Sequence, residues 1–496
     1  MRTARPWTLA ATAAATSAAL LWLASPAVGD GWVAWVALAP VAAAALTLEG
    51  TRAGRAAVPL AVGLYLETQL VPGLPFGIAE AQWGVPPLPI MVRDSPVVFA
   101  ALVGVPLFAA VLYALRFPQP LRRPGPAAAV AVPAVLWTGL DVLRPKLDPS
   151  GLWGPLFLTQ HDLPTAALAA LAGPWLLTTL IVATGWALAA LAVRRRAALV
   201  PAAAVAAAVA AAAGVVVAVD DAAPEPSVAI ALVQPGYDTA EYGRYEPPRF
   251  FDPRIRNLEL ATADVVVDLA ELTRDAAARG ADVVLWPEAV AWVDPLRTRP
   301  VRTALRRLVA ETEAALVVPA FVDPRSSVLA LRADGEWVGP RPKQRPMWFL
   351  GERTVDAPRG PLALGGVRAG VLLGIDNEDP GAARALARSG AELLVSATHD
   401  WQELLPQQRA YARLHAVALR RPVAKVDWRY GSAVWDAGGR LVADAGGERA
   451  RDVVLARVAP STRATPYERI GDVAAWAAVA ASALLLVVGI RGRRSW

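Results

Sequence analysis

The segment Gly370-Val-Leu-Leu-Gly-Ile-Asp-Asn-Glu378 decides the fold, because it joins an apolar run directly to a polar turn. The run before Asp376 is short and rich in branched side chains, which is typical of a buried strand. The residues at 380–389 have a helical pattern that Gly390 ends as a C-cap. A strand-to-helix elbow of this kind would present a nucleophile, so Asp376 is a candidate site residue. The alternative is that Asp376, aided by Asp379, caps the helix that follows.

The same alternation extends from about Ser227 to residue 471, where short β-branched runs alternate with amphipathic segments. This pattern predicts an α/β domain with one sheet or a pair of sheets covered by helices. The predicted strands lie at 228–233, 283–286, 316–320, 367–375, 393–396 and 423–426, followed by a hairpin of 432–435 and 440–442. The predicted helices lie at 255–279, 301–314, 380–389 and 406–420.

A second candidate carboxylate lies at the end of another predicted strand. Glu288 directly follows the apolar run Val283-Val-Leu-Trp-Pro287. A carboxylate at the mouth of a buried strand is partly desolvated, which raises its pKa and suits it to proton transfer. The alternative is a solvated glutamate in a loop.

A lysine and a third carboxylate occur together in Pro342-Lys-Gln-Arg-Pro-Met-Trp-Phe-Leu-Gly-Glu352. A lysine in the position of Lys343 can stabilise a developing oxyanion. Glu352 could hold that lysine in place or bind a substrate amine. The alternative is a basic loop at the protein surface.

The histidines do not form a convincing site. His399 and Asp400 are adjacent after a predicted strand, which would suit a hydrolase triad, but no serine occupies an elbow position. The three histidines of the chain, His161, His399 and His415, are too few and too scattered for a metal site. We therefore expect neither a metal ion nor a cofactor.

The composition of the whole chain is that of a membrane protein. Hydrophobic residues make up 55% of the 496 residues and charged residues 19%, whereas soluble domains usually carry about 25% charged residues. Apolar runs near the roughly 20 residues that cross a bilayer predict about eight spans. They lie near residues 7–28, 31–48, 56–75, 96–115, 126–143, 164–193, 198–219 and 472–490. The third is the weakest, because Glu67 and Pro72 interrupt it, and the sixth is long enough to include an interfacial segment.

Arginine clusters predict the orientation of these spans. They occur before the first run and after the second, fourth, sixth and eighth runs. Cytoplasmic loops carry an excess of basic residues, so a cytoplasmic N-terminus places every cluster on the cytoplasmic side. We therefore expect a multi-pass protein of the cell membrane with both termini in the cytoplasm. Residues 1–219 would form a membrane domain of about seven transmembrane helices, 220–471 an extracytoplasmic domain, and 472–496 a final helix with a short cytoplasmic basic tail.

Two alternatives concern single segments of this topology. Residues 1–29 also fit a cleaved signal peptide with a small-residue site at Ala27-Val-Gly29, and cleavage there would leave the side of the soluble domain unchanged. The alanine-rich run at 198–219 also fits a buried helix, although its arginine flank and its length favour a span.

Residue counts exclude several classes of function. The formal net charge is +6, but most arginines lie at the ends of apolar runs, where they fix topology. We therefore expect no nucleic-acid partner. The chain contains no cysteine, which excludes disulfides, thiolate metal sites and a thiol nucleophile.

The order of the candidate residues resembles the Glu-Lys-Cys triad of the nitrilase superfamily. Glu288, Lys343 and Asp376 follow one another in that order. The segment at 370–378 resembles the superfamily's strand-Cys-Tyr-Glu elbow, with Asp376 at the cysteine position and Asn377 at the tyrosine position.

Other segments of the chain extend the resemblance to nearly its whole length. The stretches 408–423, 431–434 and 439–441 resemble the helix, strand and closing hairpin of nitrilase-like domains. A nitrilase-like domain between the seventh and eighth of eight spans resembles the apolipoprotein N-acyltransferase family. The segments at 32–46, 137–144 and 151–176 resemble membrane segments of that family.

This resemblance implies an αββα sandwich for the extracytoplasmic domain and a transfer of an acyl group from phospholipid to the amino terminus of a lipoprotein. In the family, the cysteine takes the acyl chain as a thioester, a glutamate is the general base, a lysine stabilises the oxyanion and a second glutamate assists. By motif, these catalytic roles fall to Glu288, Lys343 and Glu352, with Asp376 at the acyl-accepting position.

The aspartate puts the family's activity in question. A carboxylate is a far poorer nucleophile toward an ester than a thiolate, and its product would be a labile mixed anhydride. Asp376 beside Glu288 would also push one carboxylate toward its protonated form, unless Lys343 offsets the charges. Three hypotheses follow: a catalytically impaired protein that binds phospholipid, lipoproteins or a partner membrane enzyme; an acyltransferase or amidase-type hydrolase with altered residue roles; and a structural subunit of a membrane complex.

Overall fold

The protein is described by a computed structural model that divides into two compact units. The described residues are 4–70, 125–147, 154–194, 199, 202–203, 206–207, 227–236, 258–322, 325–346, 352–353, 357–364, 366–400, 405–429, 431–445 and 450–494. The first unit comprises the described residues within Met1–Pro72, Val97–Asp221 and Ile470–Trp496. The second comprises the described residues within Ala222–Arg469. The predicted domain boundaries after residues 219 and 471 stay predictions.

The regular elements in the described residues of the first unit are all helical. Its helices are Ala4–Leu23, Ala34–Ala37, Ala39–Thr47, Arg52–Leu70, Pro126–Leu147, Ala169–Ala172, Pro174–Arg194 and Val473–Arg494. Short 3-10 turns at Gly31–Val33, Leu156–Gln160 and Pro164–Leu168 connect some of them. The helix Pro126–Leu147 packs against both Pro174–Arg194 and Val473–Arg494, and Ala4–Leu23 packs against Arg52–Leu70.

Small residues allow these helices to approach closely. A Cβ on Gly139 would lie 2.5 Å from Ser482 Oγ and 3.0 Å from the Ala478 carbonyl oxygen, so only glycine fits at this crossing. A Cβ on Gly185 would lie 2.8 Å from Leu38 Cβ. Crossings of this kind, with small residues at the contact, are frequent between membrane helices.

Two of the described helices are long and apolar enough to cross a bilayer, at Ala127–Pro145 and Pro174–Val193. Core helices of soluble proteins meet the same criteria, so the topology of eight spans stays a prediction. The sixth predicted run divides at Gly173 into short turns and the helix Pro174–Arg194. The run at 96–115 and most of the run at 198–219 lie outside the described residues.

The second unit contains a pair of six-stranded sheets. Its strands are β1 Val228–Gln234, β2 Val283–Leu285, β3 Ala315–Val322, β4 Arg325–Leu331, β5 Trp337–Pro342, β6 Leu362–Ala363, β7 Arg368–Leu373, β8 Leu393–Ala397, β9 Val423–Val426, β10 Ala433–Trp435, β11 Leu441–Asp444 and β12 Asp452–Val458. The order is β12-β1-β2-β3-β4-β5 in one sheet and β11-β10-β9-β8-β7-β6 in the other. The central strands β1–β3 and β7–β9 are parallel, and the outer strands pair antiparallel.

The alternation of side chains along the strands builds two apolar layers. Ile230 and Leu232 of β1 face the other sheet and pack with residues of β7, β8 and β9. Ala231 and Val233 point to the opposite face, toward the helices Leu258–Ala278 and Arg299–Thr312. The helices Pro380–Arg388 and Leu405–Leu419 pack against β7 and β9 of the second sheet. The unit is therefore an αββα sandwich, which confirms the expectation of a pair of sheets.

Four strands of this sandwich were not predicted. They are β4, β5, β6 and β12. The edge strand β5, Trp-Val-Gly-Pro-Arg-Pro, contains two prolines and a glycine, which are depleted in strands. The two-residue β6 is too short to leave a pattern in the sequence. The predicted strands at 228–233, 283–286, 316–320, 393–396 and 423–426 are confirmed within one or two residues.

Candidate active site

Three of the predicted site residues follow the ends of three different strands. Glu288 lies three residues after β2, Lys343 directly after β5, and Asp376 three residues after β7. Because β2 and β5 belong to one sheet and β7 to the other, the site lies where the two sheets of the sandwich meet. The resemblance to the Glu-Lys-Cys triad implied this grouping, and the fold brings the three residues together.

Lys343 is the centre of the cluster. Its ammonium nitrogen lies 3.1 Å from Glu288 Oε1 and 3.1 Å from Glu352 Oε1. The side chain of Lys343 is 4% exposed, that of Glu352 7% and that of Glu288 13%, so the ion pairs are shielded from water. Glu288 retains the greatest exposure of the three.

Asp376 belongs to the same site, but its carboxylate binds backbone N–H groups and not the ammonium group of Lys343. The residue is fully buried in the 3-10 turn Gly374–Glu378. Its Oδ2 accepts hydrogen bonds from the backbone N–H of Gln344 at 2.9 Å and of Leu373 at 3.3 Å. Its Oδ1 accepts one from the backbone N–H of Arg345 at 2.7 Å. Both carboxylate oxygens are therefore held by backbone donors, and the side chain joins the elbow to the segment that follows Lys343.

A glycine makes the close approach of the elbow and Glu288 possible. Gly374 has φ +51°, in the left-handed region, and a Cβ there would lie 2.5 Å from Glu288 Oε2. Any larger residue would displace the Glu288 carboxylate from its position beside Lys343. The elbow therefore contributes to the site through its backbone as well as through Asp376.

Burial sets the protonation of the two central carboxyls. It raises the pKa of Glu288 to about 7, against the opposing charge of Lys343, and the nearby charge of Glu352 adds to the rise. Burial also raises the pKa of Asp376 to about 6, although the backbone donors and Lys343 favour its ionised form. For Lys343, burial disfavours the charged form, but the surrounding carboxylates outweigh it and raise the pKa above its usual value.

A buried polar network supports the elbow from behind. The side-chain amide of Asn377 donates to the backbone oxygen of Gln408 at 3.0 Å and to Gln408 Oε1 at 2.7 Å. Gln408 in turn donates to Glu378 Oε1 at 2.7 Å, and the ring of His415 donates to the Asn377 carbonyl at 2.7 Å. The helix Leu405–Leu419 thus fixes the backbone of the turn that carries Asp376.

The structure corrects two local predictions at the elbow. The strand predicted to reach Ile375 ends at Leu373, because the chain turns into a 3-10 helix at Gly374. The cap of the following helix is Asp379 and not Asp376, since Asp379 Oδ1 accepts from the Gly381 N–H at 2.8 Å. The catalytic assignment of Glu288, Lys343, Glu352 and Asp376 stays a prediction.

A second buried charge cluster lies beside the site and was not predicted. Lys425 is fully buried, 2.7 Å from Asp400 Oδ2 and 3.6 Å from Asp427 Oδ2. Asp400 therefore pairs with a lysine, which agrees with the weak case for a His399–Asp400 triad. The signal in the sequence was Lys425 itself, a charged residue inside the apolar strand Val423–Val426.

Two family comparisons match the two parts of the chain. Residues 252–467 match the family described as Carbon-nitrogen hydrolase. Residues 17–187 match the family described as Apolipoprotein N-acyltransferase N-terminal domain. No curated protein matches the chain.

Solved structures resemble part of the chain at low sequence identity. A carbon-nitrogen hydrolase from Helicobacter pylori G27 is 13% identical, with 47% of this chain and 89% of that chain covered and a TM-score of 0.37. An amidase from Nesterenkonia sp. is 19% identical, with 50% of this chain and 94% of that chain covered and a TM-score of 0.36. The assignment of the sandwich rests on its two sheets and on the carbon-nitrogen hydrolase match. The two matched regions occur in one polypeptide, and the chain belongs to the apolipoprotein N-acyltransferase family, although it contains no cysteine.

Proposed function

We propose that this protein has lost the thioester chemistry of its family and acts by binding membrane phospholipid or a lipoprotein, or in support of a partner membrane enzyme. The observation that carries the proposal is the state of Asp376, the residue at the elbow. Its carboxylate is fully buried and accepts three backbone hydrogen bonds, from Gln344, Arg345 and Leu373.

These hydrogen bonds oppose nucleophilic attack. A lone pair that accepts a hydrogen bond is less available to a carbonyl carbon, and both oxygens of Asp376 are engaged. Attack on a glycerophospholipid ester would also break contacts that hold the segment after Lys343. The acyl-aspartate formed would be a mixed anhydride, which water cleaves more readily than a thioester. Each of these effects disfavours an acylated intermediate at this position.

The retained ion cluster favours binding. Glu288, Glu352 and Asp376 supply three carboxyl groups, whereas Lys343 supplies one cation. A buried site with an excess of acidic groups favours a cationic group such as the protonated amino terminus of a lipoprotein. Glu288 is the most exposed of the charged groups that contact Lys343, so we assign the first contact to its carboxylate.

The proposal includes a location in the cell membrane. The long apolar helices Pro126–Leu147 and Pro174–Arg194, the glycine-mediated crossings and the arginine clusters support a multi-pass membrane unit. We place both termini in the cytoplasm and the nitrilase-like unit on the opposite side. This topology places the nitrilase-like unit on the side of the membrane where extracytoplasmic lipoproteins lie.

A second candidate function has one observation in its favour. Burial raises the pKa of Glu288 to about 7, which suits a general base at neutral pH. An enzyme of this kind would activate water or an amine directly, with Lys343 beside the developing oxyanion. It would act as an acyltransferase or as an amidase-type hydrolase without an acylated Asp376.

One experiment separates these functions. The purified full-length chain is incubated with phospholipid and a synthetic diacylated lipopeptide, and products are read by mass spectrometry while binding is read by lipopeptide fluorescence. We expect saturable binding without triacylated or hydrolysed product, and weaker binding by Glu288→Gln. Triacylated lipopeptide would contradict the proposal, hydrolysed lipid would favour the second function, and neither binding nor product would favour a structural subunit.

A further inference from the structure

The N–H and the carbonyl oxygen of Glu288 are both held by residues that follow strands β8 and β9 of the second sheet. Its N–H donates to the carbonyl oxygen of Thr398 at 3.4 Å. Its carbonyl oxygen accepts a hydrogen bond of 2.6 Å from the indole N–H of Trp428. Trp428 is 2% exposed, so this bond is formed away from water and fixes one face of the Glu288 peptide.

The peptide held in this way precedes a residue in an unfavourable conformation. Ala289 has φ +58°, and residues with a Cβ seldom adopt this left-handed region. Such a conformation persists only where surrounding contacts impose it. The Trp428 bond acts on the peptide between Glu288 and Ala289, so it is placed to hold the turn that directs the Glu288 side chain toward Lys343.

The charge cluster around Lys425 binds Thr398 directly and adjoins Trp428, which follows Asp427 in the chain. Lys425 Nζ donates to Thr398 Oγ1 at 2.8 Å and forms an ion pair of 2.7 Å with Asp400. Asp427 Oδ2 accepts from Thr398 Oγ1 and from the Asp400 N–H, each at 2.8 Å. The cluster therefore ties the segment 398–400 to the segment that contains Trp428.

The energetics of the cluster argue for a purpose beyond packing. Lys425 and Asp427 are fully buried and Asp400 is 5% exposed. Charges removed from water are costly, and apolar residues of similar size often give a more stable protein. A cluster of this kind is useful where it fixes the position of a neighbouring group. The neighbouring group here is the backbone of Glu288.

We infer that Trp428 is a positioning residue that sets the Glu288 carboxylate against Lys343, and that the Lys425–Asp400–Asp427 cluster holds Trp428 and Thr398 in place for this task. The inference concerns the geometry of the ion pair, and it goes beyond the proposed function because it holds with or without a ligand.

The test measures the energetic coupling between the side chains of Glu288 and Lys343. Unfolding free energies of the detergent-solubilised full-length chain are measured for the parent, Glu288→Gln, Lys343→Met and the double variant, which gives the pairwise coupling energy. The same cycle is then measured in a Trp428→Phe background. A merely structural role for Trp428 would lower the stability of all four proteins equally and leave the coupling unchanged.

Trp286→Phe is the matched control. Trp286 is also a buried tryptophan of the same apolar layer, but its indole N–H donates to Thr273 Oγ1 at 3.0 Å, away from the site. We expect the coupling to fall to about half or less in the Trp428→Phe background and to stay at the parent value in the Trp286→Phe background. Equal coupling in the parent and the Trp428→Phe background would overturn the inference.

A second variant covers the case in which Trp428→Phe does not fold. Asp427→Asn keeps the shape of the side chain and removes one charge from the cluster that holds Thr398 and Asp400. The Glu288–Lys343 cycle is measured again in the Asp427→Asn background, and we expect a reduced coupling energy there as well. An unchanged coupling in this background overturns the inference as well. No ligand is added in any cycle, so failure of lipopeptide binding would leave these results unaffected.

Discussion

The backbone N–H of Arg345 donates a 2.7 Å hydrogen bond to Asp376 Oδ1, so the residue at the elbow holds the segment that follows Lys343. Gln344 makes the equivalent bond to the other carboxylate oxygen. To act as a nucleophile, this carboxylate would have to give up hydrogen bonds that hold the site together. Asp376 instead connects two segments of the site, and this difference underlies the proposal of a binding protein without thioester chemistry.

Asp376→Asn tests the role of this carboxylate. An amide has one acceptor oxygen, so its NH₂ group would face a backbone N–H and leave it without an acceptor. We expect the free energy of unfolding at pH 8 to fall by about 2 kcal/mol. Asp379→Asn is the control, because asparagine caps a helix about as well as aspartate, and we expect a change of only a few tenths of a kcal/mol. Equal losses in both variants would argue against a special role for Asp376.

Glu288→Gln tests the environment of the most exposed carboxylate of the cluster. Burial raises the pKa of Glu288 from about 4.5 to about 7, so the folded protein binds this proton more tightly than the unfolded chain. The contribution of Glu288 to the free energy of unfolding is fully present below pH 4.5 and is lost as the pH rises to about 7. The loss amounts to about 3 kcal/mol. In Glu288→Gln we expect a shallower fall of stability over this range.

Glu311→Gln provides a control with the opposite sign. A hydrogen bond from Arg274 lowers the pKa of Glu311, which lies at the surface. Its contribution is present at neutral pH and is lost as the pH falls through the acid range. The substitution should therefore leave the fall between pH 4.5 and pH 7 unchanged. A slope over that range that is the same in Glu288→Gln and in the parent would contradict the burial of Glu288.

Lys343→Met tests whether the lysine offsets the negative charge of the neighbouring carboxylates. Its removal leaves Glu288 and Glu352 close together without the cation that they share. We expect a loss of roughly 3 to 5 kcal/mol at pH 8, and a smaller loss at pH 5, where Glu288 takes up a proton. Arg451→Met removes a surface ion pair with Asp268, and we expect it to cost less than about 1 kcal/mol. A Lys343→Met loss that does not change with pH would contradict the account.

Much of the sandwich could be predicted from the sequence because its central strands are apolar and short. β1, β2, β3, β8 and β9 carry unbroken runs of buried residues. The edge strand β5 escaped prediction because its two prolines and one glycine are not typical of a strand. Pairing with a neighbouring strand, and not local preference, holds such segments in the sheet.

The members of the candidate site were predicted from polar residues that follow apolar runs and from the resemblance to the nitrilase triad, but their geometry could not be predicted. Nothing in the sequence indicates that the Asp376 carboxylate turns toward the backbone of Gln344 and Arg345. The Lys425 cluster was missed for a related reason. A pattern based on apolar runs treats one lysine inside a strand as an interruption, whereas its meaning depends on Asp400 and Asp427, which are brought close only by folding.

The most direct test of the central claim is the intact mass of the full-length chain after incubation with phospholipid vesicles. We predict no acyl adduct on the parent protein, because both oxygens of Asp376 are engaged by backbone donors. We predict a hydroxylamine-sensitive acyl adduct on Asp376→Cys, because Glu288, Lys343 and Glu352 already lie together. An acyl adduct on the parent, at Asp376 or elsewhere in the site, would contradict the account.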